Sequence, residues 1–157
     1  MECVHTAQGI KEGDFESWCR EWTYTAERVK RMGDAALAEG HLASAAESYL
    51  RAGTYFRTAE FYLHGNPRDP RILHLWGESR DLFVRSLQLS GANFERVGIA
   101  YEGTTLPGYF YKVDDIGRPR ATIVVQTGYD GTQEELYPYA LAALKRGYNV
   151  LTFEGPG

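Results

Sequence analysis

The stretch of sequence that decides the fold covers residues 121–157, ATIVVQTGYDGTQEELYPYALAALKRGYNVLTFEGPG. It opens on a β-branched apolar run at 121–126, which predicts a strand buried on both faces. A loop at 127–131 and a helix rich in alanine and leucine follow, and Gly147 is expected to end that helix. Residues 148–153 form a second apolar run. The pattern predicts a strand–helix–strand unit with parallel strands and a right-handed crossover.

Two starting points are open for the helix of this unit. Thr132 and Glu135 have the spacing of a capping box, which would start the helix at Gln133. Pro138 would then lie inside the helix and kink it, at a cost of ~3 kcal/mol. Alternatively, Pro138 is the first helical residue and 132–137 form a separate turn. We prefer the second interpretation.

Ahead of this unit the chain changes character near residue 91, which predicts a boundary between a domain at 1–91 and a second at 92–157. Before the boundary, apolar residues recur at helical spacing. Helices are expected at 14–38, 42–63 and 70–89. After the boundary, 94–101 and 105–113 have the pattern of strands. A short turn joins these two runs, so they should pair antiparallel.

Composition and charge exclude several classes of protein. A formal net charge of −4 gives no basic field to attract phosphates, so neither nucleic acid nor an anionic membrane surface is an expected partner. The sequence contains no apolar run of ~18 residues that would span a membrane. Cys3 and Cys19 have no metal-site or disulfide-framework spacing. A cytoplasmic location is therefore expected.

Three segments together carry a resemblance to a known family. Residues 127–132 resemble the oxyanion-hole loop of the α/β-hydrolases, and 145–157 resemble that family's helix end, fourth strand and Gly-Pro-Gly turn. Residues 45–61 resemble the N-terminal helical cap of one subgroup. That subgroup contains 2,6-dihydroxypseudooxynicotine hydrolase, the fermentation-respiration switch esterases and the fungal yellowish-green hydrolases that shorten polyketides. Glu154 departs from the aspartate usual before Gly-Pro-Gly.

The resemblance implies an α/β class, with an α/β-hydrolase fold that is incomplete (strands 1–4 only) and is preceded by an all-α cap domain. Residues 1–91 would be the helical cap or lid. Residues 92–157 would be the first part of the hydrolase core, which continues beyond the chain end. In this fold the third strand lies between the fourth and a fifth that is absent here, so its edge should be open and prone to aggregation.

The resemblance also implies a role for the loop at 127–132. By position, the backbone N–H of Tyr129 should be one oxyanion-hole donor, with Asp130 the alternative. Gly128 would allow close approach of the backbone to substrate, unless the glycines merely permit a tight turn. Asp130 and Glu134 are candidate substrate-binding carboxylates, although such residues more often face solvent.

The catalytic triad is not expected in this chain. The family nucleophile occupies a Gly-x-Ser-x-Gly elbow after a strand, whereas every serine here lies between residues 17 and 90. None of the histidines is assigned a role, since all lie in the helical part. The chain alone should be inactive, and one piece of a larger protein.

The predicted function is that of the N-terminal part of a serine hydrolase that cleaves an ester or a ketone-adjacent carbon–carbon bond. The substrate would be a small molecule of aromatic or polyketide-like type, and the reaction would pass through an acyl-enzyme. No metal or organic cofactor is implied. The expected partners are the remainder of the hydrolase domain, in the same protein or a complementing chain, and in one alternative a second copy in a homodimer.

Two alternative functions each fit part of the sequence. A tetratricopeptide-like interaction module would explain the small and aromatic residues Ala45, Tyr49 and Ala52, but such solenoids need about three repeats and one is visible. A dinucleotide-binding unit would use Glu154 as a ribose-binding acid. The loop supplies only Gly128-x-x-Gly131, without the Gly-x-Gly-x-x-Gly spacing that such units need.

Overall fold

A computed structural model describes residues 1–156 of the chain. The chain divides into two compact units, Met1–Gly91 and Ala92–Gly157, which we describe separately. The turn predicted at 155–157 lies partly outside the described residues, because Gly157 is not among them.

The first unit is all helical. Its elements are α1 (Glu2–Gly9), α2 (Phe15–Ala38), α3 (Leu42–Glu60), a 3₁₀ turn (Phe61–Gly65) and α4 (Pro70–Leu89). Asp14 caps α2 by accepting from the Ser17 N–H at 3.0 Å. Asp69 caps α4 by accepting from the Arg71 N–H at 3.0 Å, with proline at the first helical position.

The long helices of this unit bury a shared core. Small residues lie between them, since Ala26, Ala45 and Ala52 are completely buried. Gly53 lies so close to α4 that a Cβ there would be 2.9 Å from the Ser79 carbonyl oxygen. The larger core side chains include Trp22, Val29, Tyr49, Phe56, Leu75 and Leu82. This packing agrees with the helical spacing seen in the sequence.

A buried ion pair lies at the end of α3. Arg57 and Glu60 contact each other one turn apart, with 7% and 3% of their side chains exposed. The second carboxylate oxygen of Glu60 lies 2.5 Å from His64 Nε2. The guanidinium of Arg57 also lies over the Phe61 ring, 5.3 Å from its centroid. Arg57 and Glu60 therefore each have a partner of opposite charge inside the helical unit.

Two details of the helical unit differ from the sequence-based prediction. The helix α1 was not predicted, and it contacts α2 through the Oγ1 atoms of Thr6 and Thr25, which lie 2.7 Å apart. The helix predicted to run to residue 63 ends at Glu60, because the backbone tightens into the 3₁₀ turn that follows.

The second unit is a four-stranded sheet with one crossover helix. Its strands are β1 (Phe94–Tyr101), β2 (Thr104–Tyr111), β3 (Thr122–Gln126) and β4 (Asn149–Phe153), in the spatial order β1-β2-β4-β3. The β1–β2 and β2–β4 pairs are antiparallel and the β3–β4 pair is parallel. The predicted hairpin and the predicted parallel pair are confirmed.

The environment of β3 was predicted wrongly. The β-branched run indicated burial on both faces, yet Val124 is 60% exposed and no residue of the strand is fully buried. The reason is position: β3 lies at the edge of the sheet, where β4 alone pairs with it among the described strands. The open edge expected for this strand is therefore present, whereas the burial is not.

The crossover helix begins as the preferred interpretation predicts, within one residue. A separate 3₁₀ turn covers Gln133–Leu136, and α5 covers Tyr137–Leu144 with Pro138 at its second position. The capping box does not form. The Oγ1 atom of Thr132 is buried with no hydrogen-bond partner among the described residues, so it cannot cap the helix.

None of the helices in residues 1–156 combines the length and the apolarity that crossing a membrane requires.

Candidate active-site loop

The loop at 127–132 follows β3 and lies beside the end of β4. Parallel strands place their carboxyl ends at the same edge of a sheet, so the loop and the segment after Phe153 are neighbours. Between them lies a groove of ≈ 470 Å³. Its lining residues come from both segments: Gln126, Thr127, Gly128, Tyr129, Gly131, Glu154, Gly155 and Pro156. The groove is open enough to admit a ligand group to the loop backbone.

Both ends of the loop are tied to the end of β4. The Thr127 N–H donates to the Phe153 carbonyl at 3.2 Å, which extends the parallel ladder by one bond. The Gln133 N–H donates to Glu154 Oε1 at 3.1 Å. Glu154 itself is fixed by its backbone N–H, which donates to the Pro107 carbonyl of β2 at 3.1 Å. Phe153, the last residue of β4, and Glu154, which directly follows it, thus hold the entry and the exit of the loop.

Gly128 lines the groove without being required by the fold. Its backbone does not adopt the left-handed conformation that favours glycine. A Cβ added at this position would meet no described atom within 4 Å, so the space above it opens away from the chain. Gly131 is similar, since its Cβ would meet only ordinary contacts at 3.7 Å and beyond. These observations favour access to the loop backbone over a packing need for glycine, and the role of Gly128 stays a prediction.

The other predicted loop residues are brought to the same place. The Tyr129 side chain is fully exposed, and the residue lines the groove with Gly128. Asp130 is also exposed. The two candidate oxyanion donors are consecutive backbone N–H groups in this loop. Their role in catalysis stays a prediction.

Glu134 has a partner that the sequence did not indicate. The hydroxyl of Tyr109 on β2 donates to Glu134 Oε1 at 2.8 Å. Tyr109 is 2% exposed, and burial together with the Glu134 charge raises the pKa of its hydroxyl. The hydroxyl therefore stays protonated and available as a donor. As Tyr109 and Glu134 are 25 residues apart on different elements, no local pattern could have linked them.

An aromatic layer lies between the sheet and the segment that follows the loop. Tyr109 and Tyr111 share one face of β2, with ring centroids 6.1 Å apart. Tyr137 packs on Tyr111 at 5.7 Å and Phe94 packs on Tyr109 at 6.1 Å. Burial raises the pKa of Tyr111, an effect that the neighbouring Thr152 hydroxyl partly offsets. Through Tyr137, the first residue of α5, the layer packs the start of α5 against the sheet.

Aromatic side chains of the helical unit lie both in its core and at its surface. Tyr49 and Phe56 are buried there, and Tyr49 donates to Asp34 Oδ1 at 2.7 Å. Tyr62 is 41% exposed and stacks on Phe15 with ring centroids 4.7 Å apart.

Within residues 1–156, no three His, Cys, Asp or Glu side chains come together in a way that could hold a metal ion.

Comparison with curated proteins finds hydrolases, although no family model matches the chain. It is 45% identical to hydrolase LUC6 of Fusarium sp, over 99% of this chain and 38% of that protein. Hydrolase acrC of Aspergillus aculeatus is 39% identical over 99% of this chain and 40% of its own length. The 20-hydroxy-prefusarin hydrolase FUS2 of Gibberella moniliformis is 42% identical, over 99% and 38%. The chain thus spans about two fifths of the length of these relatives.

Solved structures show the same fold. The crystal structure of 2,6-dihydroxy-pseudo-oxynicotine hydrolase matches with a TM-score of 0.77 and 24% identity, over 99% of this chain and 42% of that chain. AbyA5 matches with a TM-score of 0.63 and 16% identity, over 99% and 40%. The tetratricopeptide and dinucleotide-binding alternatives are not favoured, because the curated relatives are hydrolases. With its helices followed by this sheet, the chain has the fold of the N-terminal part of an α/β-hydrolase, and the curated proteins that it resembles are hydrolases.

Proposed function

We propose that this chain is the part of a serine-type α/β-hydrolase that supplies the helical lid and one donor of the oxyanion hole. The donor is the backbone N–H of Tyr129, with that of Asp130 as the alternative. The single observation that carries the proposal is Gly128. Neither packing nor backbone conformation within the chain requires a glycine there, and the vacant Cβ position adjoins the groove beside Tyr129. A glycine in that position suits a backbone that a substrate must approach closely.

The chemistry follows from charge. When a serine attacks a carbonyl carbon, the carbonyl oxygen becomes negatively charged, and backbone N–H groups that already point at it stabilise that charge. Loss of one such donor typically costs ~3–4 kcal/mol of transition-state stabilisation. The second donor would be the N–H of the residue after the nucleophile. That residue and the triad would come from the remainder of the hydrolase domain, so this chain alone would be inactive.

The substrate class rests on the relatives. One of them is named as a hydrolase of 20-hydroxy-prefusarin, and one neighbour in fold as a hydrolase of 2,6-dihydroxy-pseudo-oxynicotine. We propose that the full protein cleaves an ester, or a carbon–carbon bond beside a ketone, in a small molecule of aromatic or polyketide-like type. Serine attack would give an acyl-enzyme, which water then hydrolyses. A homodimer and a cytoplasmic location stay predictions.

The test is Gly128→Ala in the full-length protein that contains this chain. The added methyl group meets no described atom, so thermal stability should change by less than ~1 kcal/mol. If the backbone beside it binds the substrate oxygen, kcat/KM should fall about tenfold or more. Hydrolysis of a p-nitrophenyl ester measures the rate, and labelling by a fluorophosphonate shows whether a serine nucleophile is present.

Gly77→Ala is the matched control, since a Cβ at Gly77 on α4 also meets nothing within 4 Å. It should leave kcat/KM unchanged and stabilise the helix by up to ~1 kcal/mol. Unchanged kcat/KM in Gly128→Ala would contradict the role of the loop. A protein that hydrolyses the ester without fluorophosphonate labelling would contradict the serine mechanism.

A further inference from the structure

Both ends of the loop at 127–132 are hydrogen-bonded to the end of β4, but the two ends depend on different kinds of bond. Its entry is held by a backbone bond from the Thr127 N–H to the Phe153 carbonyl, which any residue at these positions could form. Its exit is held by a side chain, because the Gln133 N–H donates to Glu154 Oε1. The exit is therefore the end whose position depends on residue identity.

Glu154 is well placed to fix that exit. Its backbone N–H donates to the Pro107 carbonyl of β2, so the base of the side chain is attached to the sheet. Its carboxylate reaches the first N–H of the 3₁₀ turn Gln133–Leu136 at 3.1 Å. A bond from an amide to a carboxylate is stronger than a bond between neutral groups. Glu154 thus links the sheet to the loop exit through a single side chain.

A second carboxylate holds the next residue along the chain. Glu134 accepts from the hydroxyl of Tyr109 at 2.8 Å, and Tyr109 is buried opposite Thr152 in the β2–β4 register. Because Tyr109 packs between Phe94 and Tyr111, its hydroxyl has little freedom to move. Gln133 and Glu134 are thus both tied to the β2–β4 frame.

We propose that Glu154 and the Tyr109–Glu134 pair are positioning residues, which hold the exit of the loop and thereby set the place of the Tyr129 N–H. This inference rests on the proposed oxyanion role of the loop. It gives both carboxylates a structural contact in place of a chemical step. Glu154 acts through the length and the acceptor oxygen of its side chain, and its charge has a secondary part.

Two substitutions of Glu154 separate positioning from a role for the charge. Glu154→Gln keeps the length and one acceptor oxygen, so the bond from Gln133 survives and kcat should stay within about threefold. Glu154→Asp keeps the charge but is one methylene shorter, so the bond is lost. We expect kcat to fall about 10- to 100-fold with KM within twofold, because an oxyanion donor acts in the transition state. A role as acid, base or counter-charge predicts the opposite order.

The experiment uses the full-length protein, with hydrolysis of a p-nitrophenyl ester for kcat and KM. Hydrogen–deuterium exchange of the peptide covering 127–133 gives a readout that does not depend on activity. Exchange should rise in Glu154→Asp and stay unchanged in Glu154→Gln. Should Glu154→Asp fail to fold, Tyr109→Phe removes the hydrogen bond to Glu134 in its place. This variant is also expected to raise exchange in the loop and to lower kcat.

The outcomes distinguish this inference from the proposed function. Unchanged exchange in both Glu154→Asp and Tyr109→Phe would overturn the positioning role, whatever the loop does in catalysis. Raised exchange with an unchanged kcat would show that the loop moves without consequence, which overturns the oxyanion role and the positioning role together. Loss of kcat in Glu154→Gln with retention in Glu154→Asp would make Glu154 a charged participant and also overturn the inference.

Discussion

The two units of the chain differ in how large an apolar core they bury, since most of the fully buried apolar side chains belong to the helical unit. In the helical unit, α2, α3 and α4 bury a continuous core, and even the charged pair Arg57–Glu60 is enclosed. In the sheet unit, large apolar side chains of β3 and α5 stay exposed, among them Val124 and Leu141. Burial of apolar surface contributes about 25 cal/mol per Å², so it stabilises the helical unit more than the sheet unit.

This difference shows what each sequence pattern describes. Helical periodicity in the first unit describes a core that the described helices complete among themselves. The β-branched run of β3 describes a strand with neighbours on all sides, and the described residues supply one of them. An exposed apolar edge is also a template for pairing with other chains. Substitutions on β3 should therefore cost less stability than equivalent substitutions in the core of the helical unit.

The largest expected effect comes from the buried charge. Glu60→Ala removes the carboxylate that Arg57 and His64 contact, and leaves the guanidinium buried without this counter-charge. The free energy of unfolding of the helical unit should fall by ~3–5 kcal/mol. Urea denaturation followed by circular dichroism measures the change.

Glu95→Ala in the sheet unit is the matched control for this effect. Glu95 on β1 also forms an ion pair, to Lys112 Nζ at 2.8 Å, but its side chain is largely exposed. Its loss should cost less than ~1 kcal/mol. Equal losses in Glu60→Ala and Glu95→Ala would break the comparison between a closed and an open unit.

A valine-to-alanine pair sharpens the same comparison for apolar groups. Val29 on α2 is completely buried, so Val29→Ala should cost ~2 kcal/mol from lost burial and the cavity left behind. Val124→Ala on β3 should cost within ~0.5 kcal/mol in this chain, since the side chain already contacts solvent. Thermal denaturation of both variants measures the difference. A cost at Val124 that rises toward that of Val29 in the full-length protein would show that further residues cover β3.

The smallest expected effect is a dependence on pH in the helical unit. Hydrogen bonds from Arg71 lower the pKa of Asp69 to about 2 from an ordinary value of 3.8. The stabilisation is therefore fully present above pH 4 and is lost as pH falls from 4 toward 2. Asp69→Asn keeps a capping oxygen but cannot titrate, so its unfolding should lose this part of the pH dependence. An identical acid profile in the variant would contradict the assignment.

Sequence patterns predicted the elements well wherever local chemistry determines them. Helix capping explains the start of α4 at Asp69-Pro70, and a short turn explains the β1–β2 hairpin. The proline ring explains the break before Pro138. Each of these effects acts over a few residues. The helix α1 was missed because it is short and its contacts are with distant residues, Thr6 with Thr25 on α2 and Glu2 with Arg51 on α3. The capping box predicted at Thr132 does not form, since its Oγ1 atom has no hydrogen-bond partner among the described residues.

The candidate site was predictable in place but not in its supports. The resemblance of residues 127–132 to the family's oxyanion-hole loop singled out Gly128 and Tyr129, and the structure places both directly after β3, at the edge of the sheet where ligands commonly bind in α/β folds. The contacts of Glu154 with Gln133 and of Tyr109 with Glu134 join residues 21 and 25 positions apart. Such contacts depend on strand register and on the path of the crossover, neither of which a local pattern specifies.

The hydrogen bonds that hold both ends of the loop also affect the order of folding. Thr127 and Gln133 find their partners only when β4 has paired beside β3, after the whole crossover has closed. Parallel pairing across a long connection is among the slower steps in folding, since the loss of chain entropy precedes the gain in contacts. The loop backbone is therefore expected to acquire its native shape late, and to lose it early when the β3–β4 pair weakens. Partial unfolding of the sheet would then remove the groove, because its lining residues come from the ends of β3 and β4.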